Sequence, residues 1–483
     1  MGGSAGHPAL PPVSGDGFVP RNGHSLLNPA ITAALLLFAA AGCAALPDAE
    51  AIIERHTAQA ARFESARGAI SAPKSAAIIA ELKSRSGDID ILDKQIALEQ
   101  AIVGSPLIIG NKVLLLQDGA ATYAAMFSAI RAARDHINLE SYIIEDDEIG
   151  RQFADLLLLQ QGRGVQVNVI YDSFGGINTP LAYFDRLREA GINVLEFNPI
   201  NPVTARGEWQ FNNRDHRKLL VVDGRIAFIG GINISEVYSS IPGSRRTRKT
   251  AESAIEWRDT DLQIEGPVVA ELQKLFMETW AKQHGKPLLQ REYFPRLIAQ
   301  GKDIVRAIGS TPDDAFSLIY LTLISAIGNA EKQIHLTNAY FVPDAQLLKA
   351  LIDAAGRGVD VNLILPGHSD SKIVFHAGRS NYSSLLKAGV KIHERGGALL
   401  HSKTALIDDV WSCVGSTNLD WRSFLDNDEV NAVVLGREFA LQMKAMIARD
   451  LRASKTIKLE DWENRSLLLH IQEWSASLLQ RLL

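Results

Sequence analysis

Two stretches of the chain carry the same order of apolar and polar positions. Ile130-Arg-Ala-Ala-Arg-Asp-His-Ile-Asn-Leu-Glu-Ser-Tyr142 and Ile327-Gly-Asn-Ala-Glu-Lys-Gln-Ile-His-Leu-Thr-Asn-Ala-Tyr340 each run from helical spacing into a short strand. Gly162-Arg-Gly-Val-Gln-Val-Asn-Val-Ile170 and Gly356-Arg-Gly-Val-Asp-Val-Asn-Leu-Ile364 follow, where paired glycines stop a helix and alternation starts a strand. Leu187-Arg-Glu-Ala-Gly-Ile-Asn-Val194 and Leu386-Lys-Ala-Gly-Val-Lys-Ile392 repeat helix, glycine stop and strand once more. Strands alternating with helices predict an α/β fold. A repeat distance of 194 residues at the paired glycines is far too long for a solenoid and predicts two related lobes. The expected boundaries are 105–295 and 300–483.

The repeat continues into polar residues. His216, Lys218, Asp223, Gly230-Gly231 and Asn233 recur with identical spacing as His401, Lys403, Asp408, Gly415-Ser416 and Asn418. A lone His-x-Lys is a common surface pair, but a duplicated, equally spaced set is a strong signal. The distance between copies drops to 185 at the histidines, because an insertion near 197–212 lengthens the first copy before them, and a second insertion near 236–250 follows. Allowing for the second insertion aligns Trp257-Arg-Asp259 with Asn427-Asp-Glu429, each reaching a glycine seven positions later, Gly266 and Gly436.

These residue types suit phosphoryl transfer. His and Lys two apart on a strand project from one face. Lys218, Lys403, Asn233 and Asn418 are candidate partners for phosphate oxygens, where a well-placed donor contributes roughly 3–4 kcal/mol to the transition state. A neutral imidazole attacks phosphorus while a protonated one serves the leaving oxygen, and the ordinary imidazole value of about 6.5 puts both forms within reach. Asp259 and Glu429 are the candidates for orienting the imidazoles. Asp223 and Asp408 complete the catalytic motif His216, Lys218, Asp223, His401, Lys403 and Asp408; at strand ends before a turn, they are expected to brace it from behind.

Composition narrows the partners. A net charge of −5 over 483 residues argues against nucleic acid as the main partner. Two cysteines, Cys43 and Cys413, exclude a disulfide framework and a cysteine-pair zinc site. Residues 1–27 read as a disordered tail, and 28–47 as a signal or anchor segment, since the apolar run from Ala30 to Leu46 is marginal for spanning a bilayer. Within it, Ala40-Ala-Gly-Cys43 is similar to a lipoprotein cleavage box. Residues 48–104 are expected to be helical. Arg245-Arg-Thr-Arg-Lys249 is a basic loop suited to anionic headgroups. The segment from Trp462 to Leu483 suits either the membrane interface or packing on the second lobe.

The duplicated H-x-K-x4-D, each followed by G-G/S-x-N, resembles the phospholipase D superfamily. Pro106–Val113, Asn138–Gly150, Asn212–Lys218, Trp257–Asp259 and Gly415–Ser423 are similar to the bacterial cardiolipin synthases, and the resemblance covers about residues 100–483. It implies two phospholipase D-like lobes packed with pseudo-two-fold symmetry around one shared site, a covalent phosphohistidine, and no metal or other cofactor. The implied reaction joins two phosphatidylglycerol molecules into cardiolipin and glycerol at a bacterial membrane, with phosphatidylethanolamine open as a co-substrate. By analogy His216 is the nucleophile and His401 the acid and then the base; the sequence leaves that order open because both copies are complete. A hydrolytic phospholipase D or another phosphodiesterase of the superfamily is the alternative. Two well-spaced N-terminal spanning helices, present in one cardiolipin synthase subtype, are not found in this sequence.

Overall fold

The computed structural model describes residues 1–2, 46–55, 62–86, 95–96, 104–201, 203, 209–239 and 256–483. Most of the tail and apolar segment, including Cys43, and the basic loop Arg245–Lys249 lie outside the described residues. Residues 46–483 form one compact unit built on a large mixed α/β sheet.

The first copy supplies strands β1 (Leu107–Gln117), β2 (His136–Ser141), β3 (Gln166–Asp172), β4 (Asn193–Phe197), β5 (Lys218–Val222), β6 (Ile226–Gly230) and β7 (Thr260–Glu265). The second supplies β8 (Asp303–Ser310), β9 (Gln333–Asn338), β10 (Asp360–Pro366), β11 (Lys391–Arg395), β12 (Lys403–Ile407), β13 (Trp411–Gly415), β14 (Asn427–Leu435) and β15 (Ser454–Ile457). Hydrogen-bonded neighbours run β4-β3-β2-β5-β6-β7-β1-β8-β14-β13-β12-β9-β10-β11-β15. Only β2-β3-β4 and β9-β10-β11 among these are parallel, and helices cross between them as parallel pairing requires.

The helices include α1 (Asp118–Ala132), α2 (Glu148–Gly162), α3 (Leu181–Glu189), α4 (Val269–Lys282), α5 (Leu318–Asn329), α6 (Ala345–Gly356), α7 (Lys372–Arg379), α8 (Tyr382–Lys387), α9 (Arg437–Arg452) and α10 (Leu467–Ser477), of which α2, α3, α6, α7 and α8 are the crossovers. Helices α2 and α6 start on aspartate caps: Asp147 accepts from Gly150 N at 2.8 Å, and Asp344 from Gln346 N at 2.9 Å and Leu347 N at 3.2 Å. Both end before a left-handed glycine, Gly164 and Gly358, each with φ +89°. Between helix and strand, Val165 and Val359 are buried.

One apolar cluster contains residues of both copies. Leu219, Val221, Ile264 and Leu272 belong to it with Leu406, Val430, Val434 and Met443. Burial at about 1.5–3 kcal/mol per large side chain makes this shared core the main force holding one motif against the other.

The region 48–104 departs from the helical expectation. Helices at Ala49–Arg55 and Ala72–Ser86 flank a hairpin, Phe63–Ser65 with Gly68–Ala69. Ser65 Oγ donates to Gly68 O at 3.2 Å, and Gly68 takes φ +94°, which favours glycine. Phe63 is fully buried and pairs with Leu107 of β1, so the strand is selected by a distant partner rather than by local propensity.

Candidate active site

His216 and His401 each lie just before a buried strand, β5 and β12, that carries the lysine of the motif. Each approach segment is stitched to the opposite copy. His216 N donates to Asp428 O at 2.9 Å, and Arg214-Asp215 pairs in parallel with Asn427-Asp428. Reciprocally, His401 N donates to Arg258 O at 2.8 Å, and Trp257-Arg258 pairs in parallel with Leu399-Leu400. The backbone thereby delivers each carboxylate to the histidine of the other copy.

His216 Nδ1 lies 2.9 and 3.2 Å from the two Glu429 oxygens, and His401 Nδ1 lies 2.7 Å from Asp259 Oδ2. A carboxylate on Nδ1 fixes ring orientation and directs Nε2 toward chemistry. Ser416 Oγ donates to Glu429 Oε2, and Arg217 Nε donates to Glu429 O at 3.1 Å. Thr260 N donates to Asp259 Oδ1 at 2.7 Å. Gly231 stands where Ser416 stands in the other copy, and a Cβ there would lie 2.3 Å from Asp259 Oδ1. The shorter aspartate therefore requires glycine opposite it, whereas the longer glutamate accommodates a serine that binds it.

The lysines close over these pairs. Lys218 Nζ donates to His216 O at 2.6 Å, and Lys403 Nζ sits 3.0 and 3.1 Å from the ring nitrogens of His401. Burial lowers the His216 imidazole to about 4; Glu429 opposes this, while the Lys218 and Lys403 charges reinforce it. Burial and the Lys403 charge lower His401 as well, against Asp259. Lys218 falls to about 7, through burial first and Lys403 repulsion, and Lys403 falls to about 8 through burial, opposed by Asp259 and Glu429. Burial works to raise both carboxylates, yet the histidine contacts and lysine charges hold Asp259 and Glu429 below their ordinary values. The lysine of each copy thus acts on the histidine of the other, so the two ammonium groups disfavour protonation of both imidazoles.

The remaining expected residues divide. Asp223 accepts from Arg134 N, Asp135 N and His136 N at 2.8–3.2 Å, and Asp408 from Glu331 N, Lys332 N and Gln333 N at 2.8–2.9 Å. Both adopt left-handed φ, +53° and +51°, and tie the far strand ends to the corners where β2 and β9 begin. They brace and do not reach the imidazoles. Asn233 is committed within the protein: Nδ2 donates to the Tyr238 hydroxyl at 3.0 Å and Oδ1 accepts from Ile143 N at 3.2 Å. Asn418 Oδ1 is buried with no hydrogen-bond partner among the described residues.

An aromatic wall was not anticipated. Tyr142 stands 5.1 Å from the His216 ring, and Trp257, Tyr238 and Tyr340 stand 4.9, 5.7 and 6.2 Å from His401. The Tyr238 hydroxyl reaches His401 Nδ1 at 3.4 Å, and Tyr340 donates to Asp370 at 2.8 Å. The one sequence clue was the tyrosine that closes both repeated strand segments; Tyr238 lies within the insertion that only the first copy has.

Comparisons with known proteins bear on the family and the fold. The family described as "Cardiolipin synthase, PLD-like domain" matches residues 126–280 and 323–451. A cardiolipin synthase of Halalkalibacterium halodurans is 34% identical over 388 residues, covering 80% of this chain and 75% of that protein. A cardiolipin synthase A of Pseudomonas putida is 36% identical over 361 residues, covering 74% and 71% respectively. Among solved structures, the phosphatidylserine synthase of Haemophilus influenzae shares the fold, with a TM-score of 0.60 at 13% identity over 80% of this chain and 99% of that one.

Proposed function

The chain belongs to the cardiolipin synthase family of phospholipase D-like proteins, and we propose that it transfers a phosphatidyl group between two phosphatidylglycerol molecules, giving cardiolipin and glycerol. The observation that carries this is the reciprocal holding of His216 by Glu429 and His401 by Asp259. We read residues 105–295 and 300–483 as two lobes related by a pseudo-two-fold axis at the β1–β8 junction. In support, strands matched by the repeat lie at equal distances on either side of that junction.

In the proposed mechanism, His216 Nε2 attacks phosphorus and the bond to the first glycerol oxygen breaks. His401 supplies the proton that oxygen takes up. His401 then removes a proton from the hydroxyl of the second phosphatidylglycerol, whose oxygen attacks phosphorus and releases His216. Lys218 and Lys403 hold the non-bridging oxygens, and an anion placed between them raises the depressed lysine and imidazole values again. Substrate therefore helps to protonate the group that must act as acid. We assign His216 as the nucleophile by its exposure, 8% against 4% for His401. We place the reaction at a bacterial membrane surface. No helix among the described residues is long and apolar enough to cross a membrane.

The test is direct. Full-length protein with phosphatidylglycerol vesicles is expected to produce cardiolipin and glycerol in equal amounts without added nucleotide. Phosphatidic acid as the dominant product would instead assign a hydrolytic phospholipase D.

A pH dependence follows as well. In the free enzyme His216 must be neutral and Lys218 charged. Thus kcat/KM is expected to rise as pH increases through about 4 and to fall through about 7. Lys218→Arg, which keeps its charge, is expected to move the alkaline limb up toward the Lys403 value of about 8. A profile on phosphatidylglycerol micelles with no alkaline limb near 7 contradicts this assignment.

A further inference from the structure

Helix α10 presents an apolar stripe that the protein does not cover. Leu467, Leu468, Ile471, Trp474 and Leu478 are 59–80% exposed and spaced to lie along one side of the helix. Apolar patches of this kind mark interaction surfaces. The opposite side is firmly seated. Ala476 packs with Val342 and Ala377 of the second copy, and Glu473 is buried against Arg465 at 2.6 and 3.0 Å and Arg379 at 3.5 Å. The helix is therefore folded and held while its outer face lacks a partner among the described residues.

We propose that this face docks on a bilayer of anionic phospholipid, bringing the active site to the lipid surface; the inference rests on reading the site as a phosphatidyltransferase. Two observations select lipid over a protein partner. The first is charge. Between Asn464 and Leu483 the only acidic side chain is Glu473, which is buried and ion-paired, while Arg481 is exposed. The outer face thus carries no side-chain carboxylate to repel phosphate headgroups, and Trp474 lies within the aliphatic stripe, a composition suited to the headgroup boundary. The second is continuity with the site. Val342, beneath Ala476, lies two residues beyond Tyr340, whose ring stands against His401. Val342 N donates at 2.8 Å to the carbonyl of Leu419, the neighbour of Asn418. The helix is therefore seated on the segment that leads directly from the wall of the site.

The test uses the full chain and phosphatidylglycerol vesicles with brominated acyl chains, which quench tryptophan in contact with lipid. Trp474→Phe is expected to remove most of the quenching. Leu468→Asp with Ile471→Asp is expected to lower turnover on vesicles about tenfold while leaving turnover in phosphatidylglycerol–detergent micelles intact. Quenching that survives Trp474→Phe, or a double variant equally active or equally impaired in both media, overturns the proposal. A wild-type dimer in lipid-free solution that the double variant dissociates also overturns it, by assigning the face to a second copy. Wild-type protein that makes no cardiolipin in either medium refutes the phosphatidyltransferase reading, while the quenching experiment still decides where the helix docks.

Discussion

Replacing either His216 or His401 with alanine is expected to cut cardiolipin formation roughly 10⁴-fold, because nucleophile and proton donor act as a unit. Their roles separate with an activated substrate. An aryl phosphatidyl ester with a leaving group of low basicity departs without a proton. His401→Ala is therefore expected to release the aryl alcohol in a burst and to accumulate a covalent phosphatidyl-enzyme. His216→Ala is expected to show neither, since on this assignment His401 transfers protons and does not attack phosphorus. A burst in His216→Ala and none in His401→Ala would exchange the assignments. Full activity in either variant would end the shared-site reading. Both rings are buried, 8% and 4% exposed, so circular dichroism and the urea midpoint should accompany the kinetics.

The second large effect is expected at the carboxylates. Glu429→Gln and Asp259→Asn keep shape but lose the charge on Nδ1, and each is expected to reduce turnover about 10²–10⁴-fold through wrong tautomer and orientation. The crossing makes the prediction specific. Glu429 raises the His216 value against burial and lysine repulsion, and Asp259 does the same for His401. Glu429→Gln is therefore expected to lower the His216 value further and leave His401 near its starting point; Asp259→Asn should do the reverse. Imidazole nitrogen shifts followed across pH read both rings in one sample. A response of His401 to Glu429→Gln larger than that of His216 would refute the pairing described here.

Much of the site was legible because it is duplicated. Equal spacing of His216, Lys218 and Asp223 with His401, Lys403 and Asp408 separated these residues from ordinary surface pairs, and aligning Trp257-Arg-Asp259 with Asn427-Asp-Glu429 reached the orienting carboxylates. Their bracing partners were also foreseeable, since an aspartate at a strand end before a turn readily caps nearby backbone N–H groups. Asn233 fared differently. Its place in the repeat suggested a phosphate donor, but Tyr238, from the segment unique to the first copy, takes its amide. Arg217, Trp257 as a ring and Tyr238 carried no signal of their own, because their importance lies in what they touch.

The chain's periodicity was enough to predict the α/β class, the repeated strands and helices of the two copies and a set of candidate site residues, since alternation, glycine stops and motif spacing are local properties. Which carboxylate serves which histidine was decided only by the tertiary structure. Glu429 is 213 residues from His216, and Asp259 is 142 from His401. No local preference links such positions; the crossing arises where segments from the two copies pair across a shared apolar core, and burial there also sets the charges on the lysines and imidazoles.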